Sequence, residues 1–501
     1  MPEIKSWEVK HAVKTSKKGK APGPDNVTID LIEAAGGVIY TKLAELFNEC
    51  LKKSEIPISW NEAIIILLYK KGNPKDIANY RPISLLNNIY KLFTKVITTR
   101  ITNVLDENQP REQAGFRKNF STNDHLHVVN QLIEKCAEYK IPLVVGFVDY
   151  SKAFDSVEIP DVIAAINDQG VHPVYIKIFN HIYQHAKSYI RLHQDSEPFK
   201  LRKGVRQGDS SSPKLFTACL EKVFRTLEWE DKGIKIDGEY LSHLRFADDI
   251  IIFASSPTEL QQLLREINEA SLNVGLSMNL KKTKIMHNTY VNGNFEIKIE
   301  DNVIEIVQQY IYLGQLIKLD SISKDEEIKR RITMGWQSFG RASSILKNQD
   351  IPICLKRQVY DQCITPTVTY GAETWNLTKK QALKLRTMQR AHERVMLNIT
   401  WRDRKTAKWI REQTKVRDIL VTINNLKWSW AGHLARRTDN RWTTKITQWT
   451  PRGHERNRGR QRTRWRDDIE KTERNWYQHS QDRARWRDLG KAYVQQRTFD
   501  G

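Results

Sequence analysis

The sequence predicts an α+β protein made of several packed units, and three observations carry that prediction. First, from about Ala63 short apolar runs ("AIIILLY", "PLVVGFVDY", "DDIIIFA") alternate with longer amphipathic stretches such as "DHLHVVNQLIEKCAEY" and "TELQQLLREINEASLNVGL". The short runs are bounded by turn residues or charge and are too brief for buried helices, so they read as strands. No strict strand–helix repeat links them, which favours α+β over a doubly wound sheet. Second, past about Lys318 the pattern turns mostly helical, as in "DEEIKRRITMGWQSFGRASSIL" and "KKQALKLRTMQRAHERVML". Third, 501 residues with 40% hydrophobic and 9% aromatic side chains suffice for more than one core.

Taken in order, residues 1–60 read as an N-terminal extension of helices around the Gly/Pro-rich "KKGKAPGPDN". Residues 61–318 form the mixed unit and 319–400 a helical one. A composition shift near Trp401 marks a C-terminal module, 401–501. Nine of the fourteen tryptophans lie there, and "RGHERNRGRQRTRWR" (Arg452–Arg466) holds seven arginines and one acid. Such a tail suits phosphate neutralisation with base stacking. Tryptophans forming a small core with arginines on its solvated face is the plainer reading. A mixture is expected, most tryptophans structural and the arginine run (Arg452, Arg456, Arg458, Arg460, Arg462, Arg464, Arg466) touching RNA or DNA.

Bulk chemistry narrows the function. A net charge of +22, from 81 Lys+Arg against 59 Asp+Glu, points to an acidic partner, most commonly nucleic acid. Five scattered cysteines without a C-x-x-C pair argue against a disulfide framework or a Cys-based zinc site. His433, His454 and His479 have no cysteine after Cys363 to join them in a zinc knuckle. No apolar run approaches a membrane span, and "MPEIKSWEVK" carries charges where a signal peptide needs an apolar core. The expectation is a protein of nucleus or cytoplasm with no membrane partner; no protein partner is indicated.

Two stretches carry chemistry. "LRFADDIIIFAS" sets Asp248 and Asp249 between apolar flanks, as in a hairpin with both carboxylates at its turn. Alone, such a pair is most often an ordinary Asp-rich turn. "LVVGFVDYSKAFDSV" ends another apolar run at Asp149, so one sheet edge can gather three acids. Three close carboxylates raise one another's pKa unless a cation balances them. Mg²⁺ favours a few carboxylates, water and substrate phosphates, and two such ions support in-line phosphoryl displacement.

Together with these stretches, "KAPGPDN", "YKKGNPKDIANYRPISLLNNIYKLFTKVITTRI", "QAGFRKNFSTNDHL", "GVRQGDSSSPKLF", "NLKKTK" and "YIYLGQLI" occur in one order between about Lys17 and Leu316. The set resembles the reverse transcriptases of non-LTR (LINE-type) retrotransposons. "TYGAETWNLTKKQ", "WSWAGHLARRTDNRW" and "GRQRTRWRDDIEK" are similar to segments of the RTE-type branch. The resemblance implies a right-hand polymerase with an antiparallel palm sheet, fingers and a helical thumb. It also implies RNA template, DNA primer, RNA–DNA hybrid and dNTPs as partners, and two Mg²⁺ ions, with Mn²⁺ as the alternative.

By the same resemblance Asp149, Asp248 and Asp249 hold the metals, with the Tyr150 carbonyl as an extra ligand. Phe154 excludes the ribose 2′-OH, and Arg81 clamps the triphosphate with Lys70 or Lys71. Gln207 and Gly208 lie under the nascent pair. Lys282 protonates pyrophosphate, with Lys281 and Lys284 as rivals. Tyr312, Leu313 and Gly314 form the primer grip. Two departures stand out: Ser-Ser replaces Pro-Leu in "RQGDSSSP", which could loosen the turn bearing Gln207, and Phe246 replaces Tyr. The family's upstream endonuclease has no room before residue 17, which suggests a truncated copy, a fragment or a host-retained derivative. The alternative function is a catalytically silent nucleic-acid-binding protein on the same fold.

Overall fold

The computed structural model describes residues 1–70, 72–192, 194–319, 324–456 and 463–499. Its strands in the first half are β1 (Glu62–Tyr69), β2 (Tyr80–Leu86), β3 (Val144–Val148), β4 (Lys187–Ile190) and β5 (Phe199–Lys200). There follow β6 (Ile234–Ile236), β7 (Glu239–Leu241), β8 (His243–Phe246), β9 (Asp249–Ala254) and β10 (Lys284–His287). The last are β11 (Lys298–Ile299), β12 (Asn302–Val303), β13 (Tyr310–Tyr312) and β14 (Gln315–Ile317). Two four-stranded sheets dominate, in the orders β2-β1-β4-β5 and β10-β3-β9-β8, and three two-stranded hairpins complete the set. Helices and strands are mixed without a βαβ repeat, so the α+β class holds.

The second sheet is antiparallel throughout, with β3 between β9 and β10. Its middle strands read as continuous apolar runs because both faces are covered, the condition under which strand alternation disappears. Val144, Val148, Ile250 and Ile252 face a large cluster that includes Val9, Val13 and Phe47 of the N-terminal helices. Val145, Phe147, Ile251 and Phe253 face the opposite cluster, with Leu126, Val129 and Leu132 of the helix Thr122–Tyr139. The first 60 residues thus share the core of the sheet. "KAPGPDN" seats on the start of the helix Asn88–Glu107: Asn88 Nδ2 donates to the Val27 carbonyl at 2.7 Å. A Cβ on Gly23 would meet the Asn87 backbone nitrogen at 2.4 Å, so only glycine fits there.

The helix Thr122–Tyr139 starts at a capping box, in which Asp124 accepts from the Ser121 backbone N–H at 2.8 Å. Its pattern looks amphipathic, yet it is buried around nearly its whole circumference, including Asp124, His125, His127, Asn130, Gln131, Glu134 and Lys135. Buried polar groups must be partnered, and the C-terminal segment supplies partners for Asp124, His127, Glu134 and Lys135. Asp124 pairs with Arg437 and, at 3.6 Å, Arg441. Trp430 Nε1 donates to His127 Nδ1 at 3.2 Å, Glu134 accepts from the Trp465 backbone N–H at 2.8 Å, and Lys135 donates to the Trp449 carbonyl. Chain remote in sequence therefore wraps this helix.

Between them stands a helical unit containing Asp325–Arg341, Lys379–Met396 and Ala407–Thr414. Its apolar cluster runs from Ile328 to Ile423, across the composition shift at Trp401. A last cluster gathers Trp428, Trp465, Trp476, Trp486 and Tyr493, with Trp428 and Trp486 stacked at 3.9 Å. Among the described residues no helix is long and apolar enough to cross a membrane.

Candidate active site

The acids meet because of strand register. β3 pairs with β9 so that Val148 faces Ile250; one residue further, Asp149 stands opposite Asp249. β8 and β9 close through Phe246 and Asp249, leaving Ala247 and Asp248 as the two turn residues. Asp249 therefore opens β9, and only Asp248 sits within the turn. Ala247 adopts φ +58°, a left-handed conformation that costs an L-residue about 1–2 kcal/mol. The preceding "QAGF" segment holds it there. Ala114 N–H donates to the Arg245 carbonyl at 2.9 Å, and Gln113 Oε1 accepts from Gly115 N–H at 2.7 Å and Ala247 N–H at 3.2 Å. A Cβ on Gly115 would lie 2.3 Å from the Ala247 nitrogen, so glycine is required.

Electrostatics follow from this crowding. Burial by surrounding chain, then Asp248, then Asp149, lift the Asp249 carboxyl from 3.8 to about 6, although the residue keeps solvent exposure. Burial first, with Asp149 adding to it, raises Asp248 as well. Among the described residues the direct counter-charge is Lys282, whose Nζ lies 3.3 Å from Asp149 Oδ2. Lys284 instead turns to Glu305 at 2.6 Å, so of the rival lysines it is directed away. Among the described residues no three carboxylate, imidazole or thiolate groups draw close enough to hold an ion unaided. Crowded acids with raised pKa values and an open side fit Mg²⁺, which completes its shell with water and substrate phosphate. Tyr150 is buried, its hydroxyl 2.6 Å from Ser271 Oγ.

A cavity of about 510 Å³ opens beside the acids. It is lined by Asp149, Asp248 and Lys282 on the palm side and by Lys70 and Arg81 from the facing β1–β2 hairpin. Phe154, Gln207 and Gly208 form its floor, so the residues expected to contact dNTP converge here. Phe154 stacks on Phe216 at 4.4 Å with one face left for the cavity. Gly208, at φ +119°, lies so near the Ser84 carbonyl oxygen that a Cβ would approach it to 2.6 Å. Lys71 lies outside the described residues.

Two cavity residues escaped the sequence reading. Asp155 accepts from Gln207 Nε2 through both its oxygens, each at 3.3 Å, and so orients that amide. Asp209 accepts from Tyr90 at 2.5 Å and Thr94 at 2.9 Å and is buried. The adjacent acids in "KAFD" and "RQGD" were the available signal. Of the two serines standing in place of Pro-Leu, Ser211 donates its backbone N–H to Asp209 Oδ1 at 3.1 Å and Ser210 Oγ lies 3.0 Å from Thr94 Oγ1. Beside them the retained Ser212 donates from Oγ to the Arg206 carbonyl at 2.8 Å.

β13 and β14 form a hairpin whose turn residues, Leu313 and Gly314, both have positive φ, as a type I′ turn requires. Tyr310 stacks on Phe147 of β3 at 4.2 Å. Tyr312 is buried, its hydroxyl 3.4 Å from His125 Nδ1. The turn carbonyls are tied to the helical unit: Tyr370 donates to Leu313 O at 2.9 Å, and Arg330 (3.1 Å) and Arg331 donate to Gly314 O. The described C-terminal arginines have their partners apart from this cleft. Arg456 and Arg464 both pair with Glu138 of the helix Thr122–Tyr139, Arg466 with Glu470, and Arg452 lines a separate groove. Arg458, Arg460 and Arg462 lie outside the described residues.

Acids on a tight palm hairpin beside a cation-lined cavity define a nucleotide-handling site, and comparison with known proteins agrees. Residues 69–317 match the family described as reverse transcriptase (RNA-dependent DNA polymerase). An uncharacterized transposon-derived protein of Caenorhabditis elegans is 33% identical over 248 residues, 48% of this chain and 87% of that one. The RNA-directed DNA polymerase from mobile element jockey of Drosophila melanogaster is 25% identical over 418 residues, 79% of this chain and 44% of that protein. An apo telomerase structure from Candida tropicalis overlaps 82% of this chain and 74% of its own, at 14% identity and a TM-score of 0.39. The chain belongs to the reverse transcriptase family of nucleotidyltransferases. It spans less than half the length of the jockey polymerase.

Proposed function

We propose that this chain extends a DNA primer on an RNA template, adding dNTPs by two-metal nucleotidyl transfer, as the polymerase of a non-LTR retrotransposon. The C-terminal sequence segments support placement in the RTE-type branch. The observation that carries the reading is the convergence of Asp149, Asp248, Lys70, Arg81, Phe154, Gln207 and Lys282 on one cavity. Asp149, Asp248 and Asp249, with the Tyr150 carbonyl as a further ligand, would hold two Mg²⁺ ions, which would supply activation of the attacking oxygen and stabilisation of the leaving one.

The protein's own groups do the rest. The Arg81 guanidinium, always charged and shaped for bidentate contact, takes the triphosphate with Lys70 beside it. The Phe154 ring occupies the space a ribose 2′-OH needs. Gln207, its amide oriented by Asp155, and the bare Gly208 backbone lie beneath the nascent base pair. Lys282 Nζ, already at the acid cluster, delivers a proton to the departing pyrophosphate. The hairpin of Tyr312, Leu313 and Gly314 holds the primer end against the helical unit.

Primer extension on an RNA template with Mg²⁺ and dNTPs tests the proposal. DNA product that requires both template and dNTPs is expected. A well-folded protein that binds template–primer yet makes no product would favour the silent nucleic-acid-binding alternative.

A further inference from the structure

The basic Trp-rich region divides sharply in its exposure. Trp428, Trp430, Trp442, Trp449, Trp465, Trp476 and Trp486 are all buried, whereas Trp401 is 77% exposed. Burial removes the first group from any stacking role. Trp401 begins a short turn that is rigidly made: Thr400 donates to Asp403 Oδ2 from its backbone N–H at 2.6 Å and from its hydroxyl at 2.9 Å. Arg404 ends the turn in the left-handed conformation at φ +48°. The helix Ala407–Thr414 that follows packs through Ile410 and Thr414 onto the helices Ile353–Val359 and Lys379–Met396, so the turn stands on the helical unit.

Charge surrounds the exposed ring. Arg402, Arg404, Lys405 and Lys408 are all exposed, and among the described residues none is in an ion pair. The single carboxylate of the turn, Asp403, is spent on the cap. The Arg402 guanidinium carbon lies 5.7 Å from the Trp401 ring centroid, and Lys405 Nζ lies 5.0 Å from that of the half-buried Trp409. An exposed indole followed closely in the chain by four exposed cations is unlike a protein–protein hot spot, where lysine is depleted and the aromatic fills a pocket. It matches single-strand recognition, in which an unpaired base stacks on the aromatic face and cations follow the phosphates. A base paired inside a duplex has no free face to offer.

We propose that the segment Trp401–Lys408 is a second nucleic-acid site, taking unpaired bases of an RNA or DNA strand outside the polymerase cleft. This rests on the reading of the chain as a nucleic-acid-handling polymerase. It adds this turn to the arginine run as an expected contact of the C-terminal region.

The test uses the full chain with its cleft saturated by an unlabelled primer–template hairpin. Fluorescence anisotropy then follows labelled U12 RNA and, separately, dT12 DNA. Trp401→Ala is expected to weaken binding about tenfold, and Trp401→Phe, which keeps a ring, to retain most of the affinity. Arg404→Ala with Lys408→Ala should lower the salt slope of log affinity by about 0.7 per charge removed. Hairpin extension should be unchanged in Trp401→Ala. The oligonucleotide comparison stands even if the wild type extends nothing, so failure of the polymerase reading shows itself separately. Equal affinity of wild type and Trp401→Ala for both oligonucleotides overturns the proposal and leaves the turn as a protein-docking surface.

Discussion

Phe154 and Gly115 show how single residues set this site. Phe154 touches both the cavity and Phe216, so under the proposed function the same ring would serve packing and selection. Phe154→Ala is expected to raise the use of rNTPs relative to dNTPs by about tenfold or more, a ratio that is insensitive to partial loss of folded protein. Unchanged selectivity would leave the ring a core residue only. Gly115 touches no substrate, yet its bare backbone lies against Ala247. Because both partners there are backbone, no rotamer can relieve a clash. Gly115→Ala should therefore cost about 1–3 kcal/mol in denaturant unfolding and displace the turn that carries Asp248. A variant of wild-type stability and activity would show that the turn is held by something else.

Among the elements, the helix Thr122–Tyr139 has the widest reach. One face supports β3 and β9, His125 reaches Tyr312 of the β13–β14 hairpin and lies edge-on to Phe246, and other positions are gripped by Trp430, Arg437, Arg441, Trp449 and Trp465. The C-terminal segment thus braces the helix that backs both the acid hairpin and the β13–β14 hairpin. Asp124→Ala would leave Arg437 and Arg441 without their buried partner and remove the N-terminal cap. A loss of about 3–5 kcal/mol is expected, measured by chemical denaturation; a loss below about 1 kcal/mol would mean the segment is only loosely attached. This arrangement explains why the C-terminal role was illegible in sequence. "DHLHVVNQLIEKCAEY" reads as a helix with one solvated face, and nothing local says that arginines more than three hundred residues later cover that face. Tryptophan content likewise cannot distinguish a core from a contact surface; only burial separates Trp401 from its neighbours.

For the whole molecule, the legible part was the part whose chemistry is ordered along the chain. The apolar runs became strands of the two four-stranded sheets, and the motif residues around "FVDYSKAF" and "RFADD" came to one cavity. Illegible were the pairings that depend on three-dimensional direction. Lys284 could not be told from Lys282 until Lys284 was seen to turn toward Glu305. The first 60 residues could not be placed in the sheet's own core from their helical pattern alone.

The acid cluster also makes stability depend on pH and metal. Asp249 is raised from 3.8 to about 6, so between those values the folded chain holds the proton more tightly than the unfolded one. Stability therefore falls as pH rises through that window, and the penalty is complete above it. Mg²⁺ should raise Tm by about 1–3 °C at pH 7.5 and by less at pH 5, where Asp249 is mostly protonated. Asp249→Asn should raise Tm in EDTA at pH 7.5 and abolish the Mg²⁺ response. An equal response at both pH values would contradict a site governed by these carboxylates. The most direct test of the central claim is single-turnover incorporation of one dNTP on an RNA template by wild type, Asp149→Asn and Asp248→Asn. Each substitution is expected to slow incorporation by about a hundredfold or more while template–primer affinity is kept. An undiminished rate in either variant would contradict the assignment of catalysis to this cluster.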